Sequence, residues 1–166
     1  MGSDIRVALA GVGAFGLKHL DVMKNIQGVR PVALVGRRLE PTQEAAKRYG
    51  IETVTTELDE VLARDDVDAV ILATPTQLHA KQAMACLRAG KHVQVEIPMC
   101  DVLAEGQALV DLQAQTGLVA MAGHTRRFNP SHQWVRQRVQ AGQLQLQQMD
   151  VQTYFLRRTN IHAAGQ

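Results

Sequence analysis

Three glycines near the start of the chain, Gly11, Gly13 and Gly16, have the spacing G-x-G-x-x-G. An apolar run at residues 5–10 precedes them and is typical of a strand buried on both faces. After them, leucine and methionine recur every three or four residues to Ile26, which predicts a helix that Gly28 ends. The glycines therefore lie in a strand-to-helix turn, the context in which this motif binds the pyrophosphate of a dinucleotide.

Each residue of this loop has a predicted role. Gly11 permits the tight turn, Gly13 has no Cβ to block a pyrophosphate, and Gly16 lets helix and strand pack closely. Unpaired N–H groups of the first helical turn and the positive end of the helix dipole favour the ligand's negative charge. We therefore predict that the loop, with Ala14 and Phe15 between the glycines, binds the cofactor.

The residues after the second strand bear on which dinucleotide is bound. An NAD-binding fold usually has an acidic residue about twenty positions beyond the last glycine. Here Gly36 stands at that position, and Arg37 and Arg38 follow it. No carboxylate repels a 2′-phosphate, and two guanidinium groups are available to pair with one. The sequence predicts NADP, with NAD as the alternative if the arginines are only solvated loop charges.

Alternation of apolar runs and helical stripes with short links predicts an α/β fold, a doubly wound parallel sheet with helices on both faces. Predicted strands cover 5–10, 32–35, a short segment at 53–55, 67–73, 92–96 and 119–122. Predicted helices include 78–89, 102–116 and 131–141. Ligands bind outside the carboxyl ends of such strands. The functional candidates are therefore the glycine loop, Gly36 to Arg38, Thr74 to His79, Glu96 to Pro98, and Gly123 to Arg127.

Two of these candidates suggest substrate chemistry. His124 is the best candidate base, because histidine is the side-chain type suited to proton transfer near neutral pH, with a purely structural histidine as the alternative. Arg126 suits an anionic substrate, because guanidinium binds carboxylate through two hydrogen bonds. His19 is expected on the surface of the first helix.

Bulk properties exclude several classes of protein. The net charge is +2 among 166 residues and no basic block occurs, so we expect no nucleic-acid partner. No apolar run is long enough to span a membrane, and no signal peptide is recognisable, so we expect a cytoplasmic protein. Cys86 and Cys100 lack metal or redox spacing and are expected to be largely buried, and no metal site is expected.

The end of the chain has a different pattern. Apolar and polar residues alternate over 144–157, which predicts one half-buried antiparallel strand. Such a strand cannot bury its apolar face alone. We therefore predict a dinucleotide-binding domain at 1–124, followed at 125–166 by a linker helix and the start of a second domain. On this interpretation the chain is a fragment, or its strand pairs with another copy.

The chain resembles the glucose–fructose oxidoreductase, inositol dehydrogenase and rhizopine-catabolism (Gfo/Idh/MocA) family. The resemblance is carried by the glycine loop, Thr74-Pro75-Thr76 with His79, Glu96-Ile97-Pro98, and GHTRRFNP at 123–130. It implies a two-domain NAD(P)-dependent oxidoreductase with a Rossmann-type first domain. The family's second domain, an open antiparallel sheet, supplies much of the substrate pocket and the contacts of a homo-oligomer.

Longer strings, among them ATPTQLHA and HVQVEIPM, resemble one branch of that family. This resemblance implies a small carboxylated substrate, the cyclic hemiacetal of 4-carboxy-2-hydroxymuconate-6-semialdehyde. NADP would oxidise it to 2-pyrone-4,6-dicarboxylate in the protocatechuate 4,5-cleavage pathway. The alternatives are a sugar or cyclitol dehydrogenase and a nucleotide-binding module without catalysis. A further alternative is an S-adenosylmethionine methyltransferase. It is disfavoured because that class of enzyme needs an acidic ribose ligand at the position where this chain has Arg37 and Arg38.

The resemblance also carries residue roles and one departure. It implies that Glu96 and Pro98 lie near the nicotinamide ribose, and that Thr76 and His79 line the nicotinamide side. For His79 the alternative is a helix-face position that packs on the loop. Many relatives have Glu-Lys-Pro where this chain has Glu96-Ile97-Pro98, and their lysine assists proton transfer. Ile97 cannot titrate, so another group must take that proton. A hemiacetal hydroxyl is more acidic than that of a simple alcohol and makes less demand on a base.

Overall fold

The structure, a computed structural model, describes residues 4–152. Its contacts divide the chain into two compact units, Met1–His124 and Thr125–Gln166. The strands of the first unit are β1 (Ile5–Ala10), β2 (Val29–Val35), β3 (Thr53–Thr55), β4 (Ala69–Leu72), β5 (His92–Val95) and β6 (Ala120–Ala122). Its helices are α1 (Ala14–Met23), α2 (Leu39–Tyr49), α3 (Leu58–Leu62), α4 (Thr76–Arg88) and α5 (Leu103–Thr116).

These strands form one parallel sheet in the order β3-β2-β1-β4-β5-β6. The predicted doubly wound parallel sheet is thus confirmed. The chain leaves β1 in one direction toward β3 and returns to the other side of β1 with β4. A ligand crevice is expected where the order reverses, between the carboxyl ends of β1 and β4.

Hydrophobic cores form on both faces of the sheet, which explains the continuous apolar character of β1. Val7 and Leu9 pack with residues of α1 and α2 on one face. Ala8 and Ala10 pack with residues of α3, α4 and α5 on the other. Cys86 belongs to this second core, as predicted, and burial raises the pKa of its thiol to about 12. Cys100 is only half-buried.

Strand β2 begins earlier than its sequence suggests. The prediction started at Val32 because Pro31 lacks an N–H group, yet Pro31 lies inside β2 and pairs with Val7 of β1. The register shifts directly after this pair, and β3 covers only residues 33–35 on the other side of β2. A proline is tolerated at such an irregular, half-open position.

Helix α1 is shorter than predicted. It ends at Met23, with Lys24 as its C-cap, so Ile26 lies outside the helix and is 46% exposed. The apolar spacing in the sequence extends past the helix end into a turn. This turn is closed by hydrogen bonds from the Asn25 and Ile26 N–H groups to the carbonyl oxygens of Val22 and Met23. Helices α2 and α5 end at Gly50 and Gly117, and both glycines have the left-handed φ of a helix C-cap.

The second unit contains a single-turn 3₁₀ helix, Thr125–Phe128, and helix α6, Pro130–Gln140. Asn129 caps α6 by accepting a hydrogen bond from the Ser131 N–H at 3.0 Å. The predicted strand over 144–157 is wrong for residues 144–152, which are not a strand; the remainder lies outside the described residues. Alternation alone does not make a strand when no neighbour supplies its hydrogen bonds. Nowhere in residues 4–152 is a helix long and apolar enough to cross a membrane.

Candidate functional site

A cleft of about 1280 Å³ lies at the carboxyl ends of β1, β2, β3 and β4. This is the position that the reversed strand order predicts for a ligand. Residues from the predicted list that line it are Gly11, Gly13, Arg37, Arg38, Thr74 and Pro75. Three further lining residues, Val12, Gly36 and Leu78, lie within the candidate stretches named from the sequence. The prediction did not include Val35, Pro41, Thr42, Thr56, Glu57, Ala73 and Gln82.

The three glycines of the turn differ in the space that surrounds them. Gly11 has a φ of +99°, and a Cβ there would overlap the backbone of Ala73. A Cβ on Gly16 would overlap the Gly11 carbonyl oxygen. At Gly13, by contrast, a Cβ would meet nothing within 4 Å, although this residue lines the cleft. Gly11 and Gly16 are therefore required by the fold, whereas the space beside Gly13 is left open for a ligand.

Two helices begin at the cleft. Gly13 is the N-cap of α1 and Pro75 is the N-cap of α4, and no side chain caps either helix. In the first turn of α4 the Leu78 N–H donates to the Pro75 carbonyl oxygen at 2.9 Å. The other N–H groups of the two first turns have no side-chain cap, and the helix dipoles favour an anion. The first turns of α1 and α4 therefore fit the negative charge of a dinucleotide pyrophosphate. Thr74 shapes the same wall through a 2.6 Å hydrogen bond between its hydroxyl and Gln82.

The cleft also brings Arg37 and Arg38 beside the end of β2. Gly36 precedes them, and a Cβ there would overlap the hydroxyl of buried Thr42. That hydroxyl donates a 2.7 Å hydrogen bond to the Arg38 carbonyl oxygen and so fixes the loop that carries both arginines. Thr42 was not among the residues predicted from the sequence, because nothing local to it indicates this hydrogen bond. Glu57, at the end of β3, is an acidic group in the same lining.

Glu96 follows β5 and is paired with a residue predicted to be on the surface. His19 of α1 places its Nε2 2.8 Å from Glu96 Oε1, and both side chains are mostly buried, 20% and 14% exposed. The expectation that His19 faces solvent is therefore wrong. Its position three residues beyond Gly16 places it on the α1 face toward β5, which sequence spacing alone could not show.

His79 has the environment of the alternative, a helix-face side chain packed on loop backbone, rather than that of a residue that lines the nicotinamide side. Its ring is 2% exposed, with Nδ1 2.7 Å from the Pro98 carbonyl oxygen and Nε2 2.7 Å from the Thr74 carbonyl oxygen. Both nitrogens are occupied by backbone, so no polar ring atom remains for a direct cofactor contact. His79 instead joins the loops that follow β4 and β5.

The remaining candidates lie outside the cleft lining. Ala14 and Phe15 begin α1 and are exposed, and Thr76 begins α4. Pro98 is exposed and follows a cis peptide bond, with Ile97 before it 46% exposed. His124 is exposed and lies two residues after the end of β6. The residue before it, Gly123, packs on Glu96, because a Cβ there would lie 3.2 Å from Oε1.

Arg126 belongs to the second unit, in its 3₁₀ turn, and is exposed. Within residues 4–152, no three histidine, cysteine, aspartate or glutamate side chains are grouped in a way that could hold a metal ion.

Comparison with known protein families identifies the chain. A model described as an oxidoreductase family with an NAD-binding Rossmann fold matches residues 5–124. The chain belongs to the Gfo/Idh/MocA family. A second model, of the C-terminal part of bacterial oxidoreductases, matches residues 130–166. The resemblance read from the sequence is confirmed, and with it the NAD(P)-binding Rossmann domain.

Individual members of the Gfo/Idh/MocA family are also similar. A 4-carboxy-2-hydroxymuconate-6-semialdehyde dehydrogenase from Sphingobium sp. strain SYK-6 is 59% identical over 98% of this chain and 51% of that protein. Among solved structures, scyllo-inositol dehydrogenase from Lactobacillus casei, with NAD(H) and scyllo-inositol, has a TM-score of 0.81 at 28% identity, over 84% of this chain and 42% of that one. Biliverdin reductase from Synechocystis sp. PCC 6803, with biliverdin and NADP⁺, has a TM-score of 0.74 at 27% identity, over 82% and 43%. The chain spans about half the length of the relatives it matches.

Proposed function

We propose that the chain carries the cofactor half of an NADP-dependent dehydrogenase. The observation that supports it most is the cleft, in which a glycine turn open at Gly13 meets Arg37 and Arg38. The first feature suits a pyrophosphate and the second a 2′-phosphate. Related structures hold either NAD(H) or NADP⁺, so the preference rests on the two arginines.

The proposed reaction is oxidation of the hemiacetal of 4-carboxy-2-hydroxymuconate-6-semialdehyde to 2-pyrone-4,6-dicarboxylate, as part of protocatechuate 4,5-cleavage. The relative at 59% identity supports this substrate. The hemiacetal carbon loses a hydride and its hydroxyl loses a proton, so a lactone carbonyl forms. The bound nicotinamide supplies the hydride acceptor.

The chain's own residues are proposed to hold the substrate and take the proton. His124, exposed after β6, is the candidate base within this chain, and Arg126 the candidate carboxylate ligand. Ile97 occupies the usual lysine position and cannot accept a proton. The likeness to an inositol dehydrogenase makes cyclitol oxidation the second candidate, but an ordinary alcohol depends more on the missing lysine.

Cofactor titration tests the first half of the proposal. We expect NADPH to bind at least tenfold more tightly than NADH. Replacing both arginines, Arg37→Ala with Arg38→Ala, should weaken NADPH binding roughly thirtyfold and NADH less than threefold, because only the 2′-phosphate pairs are lost. Arg30→Ala, at the opposite edge of the sheet beside Arg6 and Asp68, is the matched control. Equal or tighter binding of NADH by the unmodified protein would refute the preference.

Turnover tests the second half. The protocatechuate ring-cleavage product and scyllo-inositol are each supplied with NADP, and reduced cofactor is followed by absorbance. We expect reduction with the semialdehyde only, and an approximately hundredfold slower rate for His124→Asn at unchanged NADPH affinity. Unchanged turnover in that variant would remove His124 as the base, and reduction with scyllo-inositol alone would favour the cyclitol reaction. NADPH binding without any turnover would indicate a cofactor-binding module.

A further inference from the structure

The segment Glu96–Pro98, which follows β5, is held by one histidine from each of two helices. His19 of α1 contacts the Glu96 carboxylate, and His79 of α4 contacts the Pro98 carbonyl oxygen. Neither histidine lines the cofactor cleft. Both contacts lie at the carboxyl edge of the sheet, where the family's chemistry is expected.

The contact of His19 connects the segment to the glycine turn. α1 starts at Ala14, directly after Gly13, and His19 lies less than two helical turns further on. The 2.8 Å contact joins Nε2 to a carboxylate whose side chain is only 14% exposed. A hydrogen bond to a carboxylate is among the stronger ones, particularly where water is scarce.

The contact of His79 connects the same segment to the turn after β4. Its Nε2 lies 2.7 Å from the carbonyl oxygen of Thr74, which lines the cleft, while Nδ1 lies 2.7 Å from that of Pro98. Carbonyl oxygens only accept, so a ring nitrogen that bonds to one of them does so through its N–H. A single side chain, 2% exposed, thereby fixes the distance between two loops.

We propose that His19 and His79 are positioning residues that clamp the Glu96–Pro98 segment to the two helices whose first turns hold the cofactor. This inference rests on the proposed cofactor function. On this proposal the clamp sets the position of Glu96 relative to the nicotinamide end of the cofactor. The adenosine end of the cofactor, beside Arg37 and Arg38, is independent of the clamp. Ile97 between the clamped residues is 46% exposed and does not anchor the segment itself.

Amide hydrogen exchange of the free protein tests the clamp without any cofactor. We expect His19→Leu and His79→Phe each to raise exchange about tenfold in peptides covering 96–99, and less than twofold in peptides of β2 and β3. His92→Leu is the matched control. His92 lies at the other end of β5, and its Nδ1 accepts a 2.9 Å hydrogen bond from the Val119 N–H. Its loss should leave exchange at 96–99 unchanged.

Two cofactor probes test what the clamp does. NADPH has a nicotinamide end, and adenosine 2′,5′-bisphosphate lacks one. We expect His19→Leu and His79→Phe to weaken NADPH binding about tenfold and to reduce the fluorescence of bound nicotinamide, with less than a twofold change for the bisphosphate. His19→Gln retains an N–H at the Nε2 position and should restore NADPH binding. For His79, Asn retains the Pro98 contact and should restore more than Gln, which retains the Thr74 contact.

The outcomes separate the two proposals. Equal weakening of both probes, or unchanged exchange at 96–99 in the leucine and phenylalanine variants, overturns the clamp. Exchange that rises as expected in a protein that binds neither NADPH nor NADH supports the clamp as a structural device and refutes the cofactor function. Where the leucine or phenylalanine variants fail to fold, His79→Gln, which loses only the Pro98 contact, should still raise exchange at 96–99, and unchanged exchange in that variant overturns the clamp.

Discussion

At the scale of single residues, the glycine turn separates demands of the fold from demands of the ligand. Gly11 and Gly16 are enforced by backbone atoms that a Cβ would overlap, whereas Gly13 faces open space. The motif predicted this division, with Gly11 for the turn, Gly16 for packing and Gly13 for the pyrophosphate. The structure identifies the backbone atoms that enforce it.

Alanine substitutions should therefore behave differently along this turn. Gly13→Ala should change the free energy of unfolding by less than about 1 kcal/mol, because φ is −73° and nothing crowds the new methyl group. It should weaken NADPH binding at least tenfold, because the methyl group projects into the cleft. Urea unfolding and fluorescence titration measure the two effects.

Gly16→Ala should show the opposite balance. Its Cβ overlaps the Gly11 carbonyl oxygen, so the loss of stability should be about 2–3 kcal/mol or more. The urea denaturation midpoints of Gly16→Ala and Gly13→Ala, compared with each other, test this difference in stability. Two variants of equal stability would contradict the division of roles.

Residues with distant partners escaped sequence analysis. Arg37 and Arg38 were recognisable because the strand pattern and the glycine spacing fix their place locally. His19 was assigned to the surface, yet it lies 2.8 Å from Glu96, 77 positions later in the chain. A helical pattern identifies an apolar stripe, but it does not show which polar side chain next to that stripe meets a partner from another element.

At the scale of elements, an ion pair fixes β1 to the start of β4 at the edge opposite the cleft. The Arg6 guanidinium donates to both Asp68 carboxylate oxygens at 2.7 and 2.9 Å, and the Arg6 backbone N–H donates a third hydrogen bond. The side-chain hydrogen bond from Arg6, followed by the backbone one, holds the pKa of Asp68 well below its ordinary value. The pair aligns the strands between which the cofactor crevice opens.

This pair predicts an acid-sensitive part of the stability. Because the pKa of Asp68 is lower in the folded than in the unfolded chain, its contribution is complete above the unfolded value of about 3.9 and is lost as pH falls toward the folded value. Asp68→Asn should lower the urea midpoint at pH 7 and flatten the decline in stability between about pH 5 and pH 2. Asp66→Asn is the control. Asp66 pairs with Arg64, and the Arg64 and Asp66 side chains are 38% and 49% exposed. Loss of this exposed pair should change the urea midpoint and the acid slope less. An unchanged acid slope in Asp68→Asn would contradict the assignment.

Element boundaries show where local patterns stop being informative. The six strands of the sheet and its helices were predicted within a few residues, because burial on both faces makes strands continuously apolar. Residues 144–152 have alternating polarity but are not a strand. Pairing with a neighbouring strand, rather than alternation, determines whether such a segment becomes part of a sheet.

At the scale of the whole molecule, two compact units and two family models divide the chain at nearly the same place. The first unit ends at His124, and so does the match to the Rossmann model. The C-terminal model begins at Pro130. Every residue that lines the cofactor cleft lies in the first unit.

A chain ending at His124 should therefore fold and bind cofactor alone. We expect cooperative urea unfolding and an NADPH dissociation constant within twofold of that of the 166-residue chain. The reason is that the sheet, both cores and the cleft lie within residues 4–124. Circular dichroism and NADPH titration measure these properties. Non-cooperative unfolding, or a tenfold loss of affinity, would show that the later residues complete the domain.

The sequence by itself determined the order of strands and helices, the glycine turn and the arginines after β2. These features depend on residues close together in the chain and on the burial pattern of a parallel sheet. The tertiary structure decided which helix faces meet the end of β5, and hence that two histidines converge on Glu96–Pro98. It also identified the backbone atoms of Ala73 and Gly11 that a Cβ on Gly11 or Gly16 would overlap. Those results depend on backbone and side chains brought together by the crossover connections, and no local pattern encodes the distance between them.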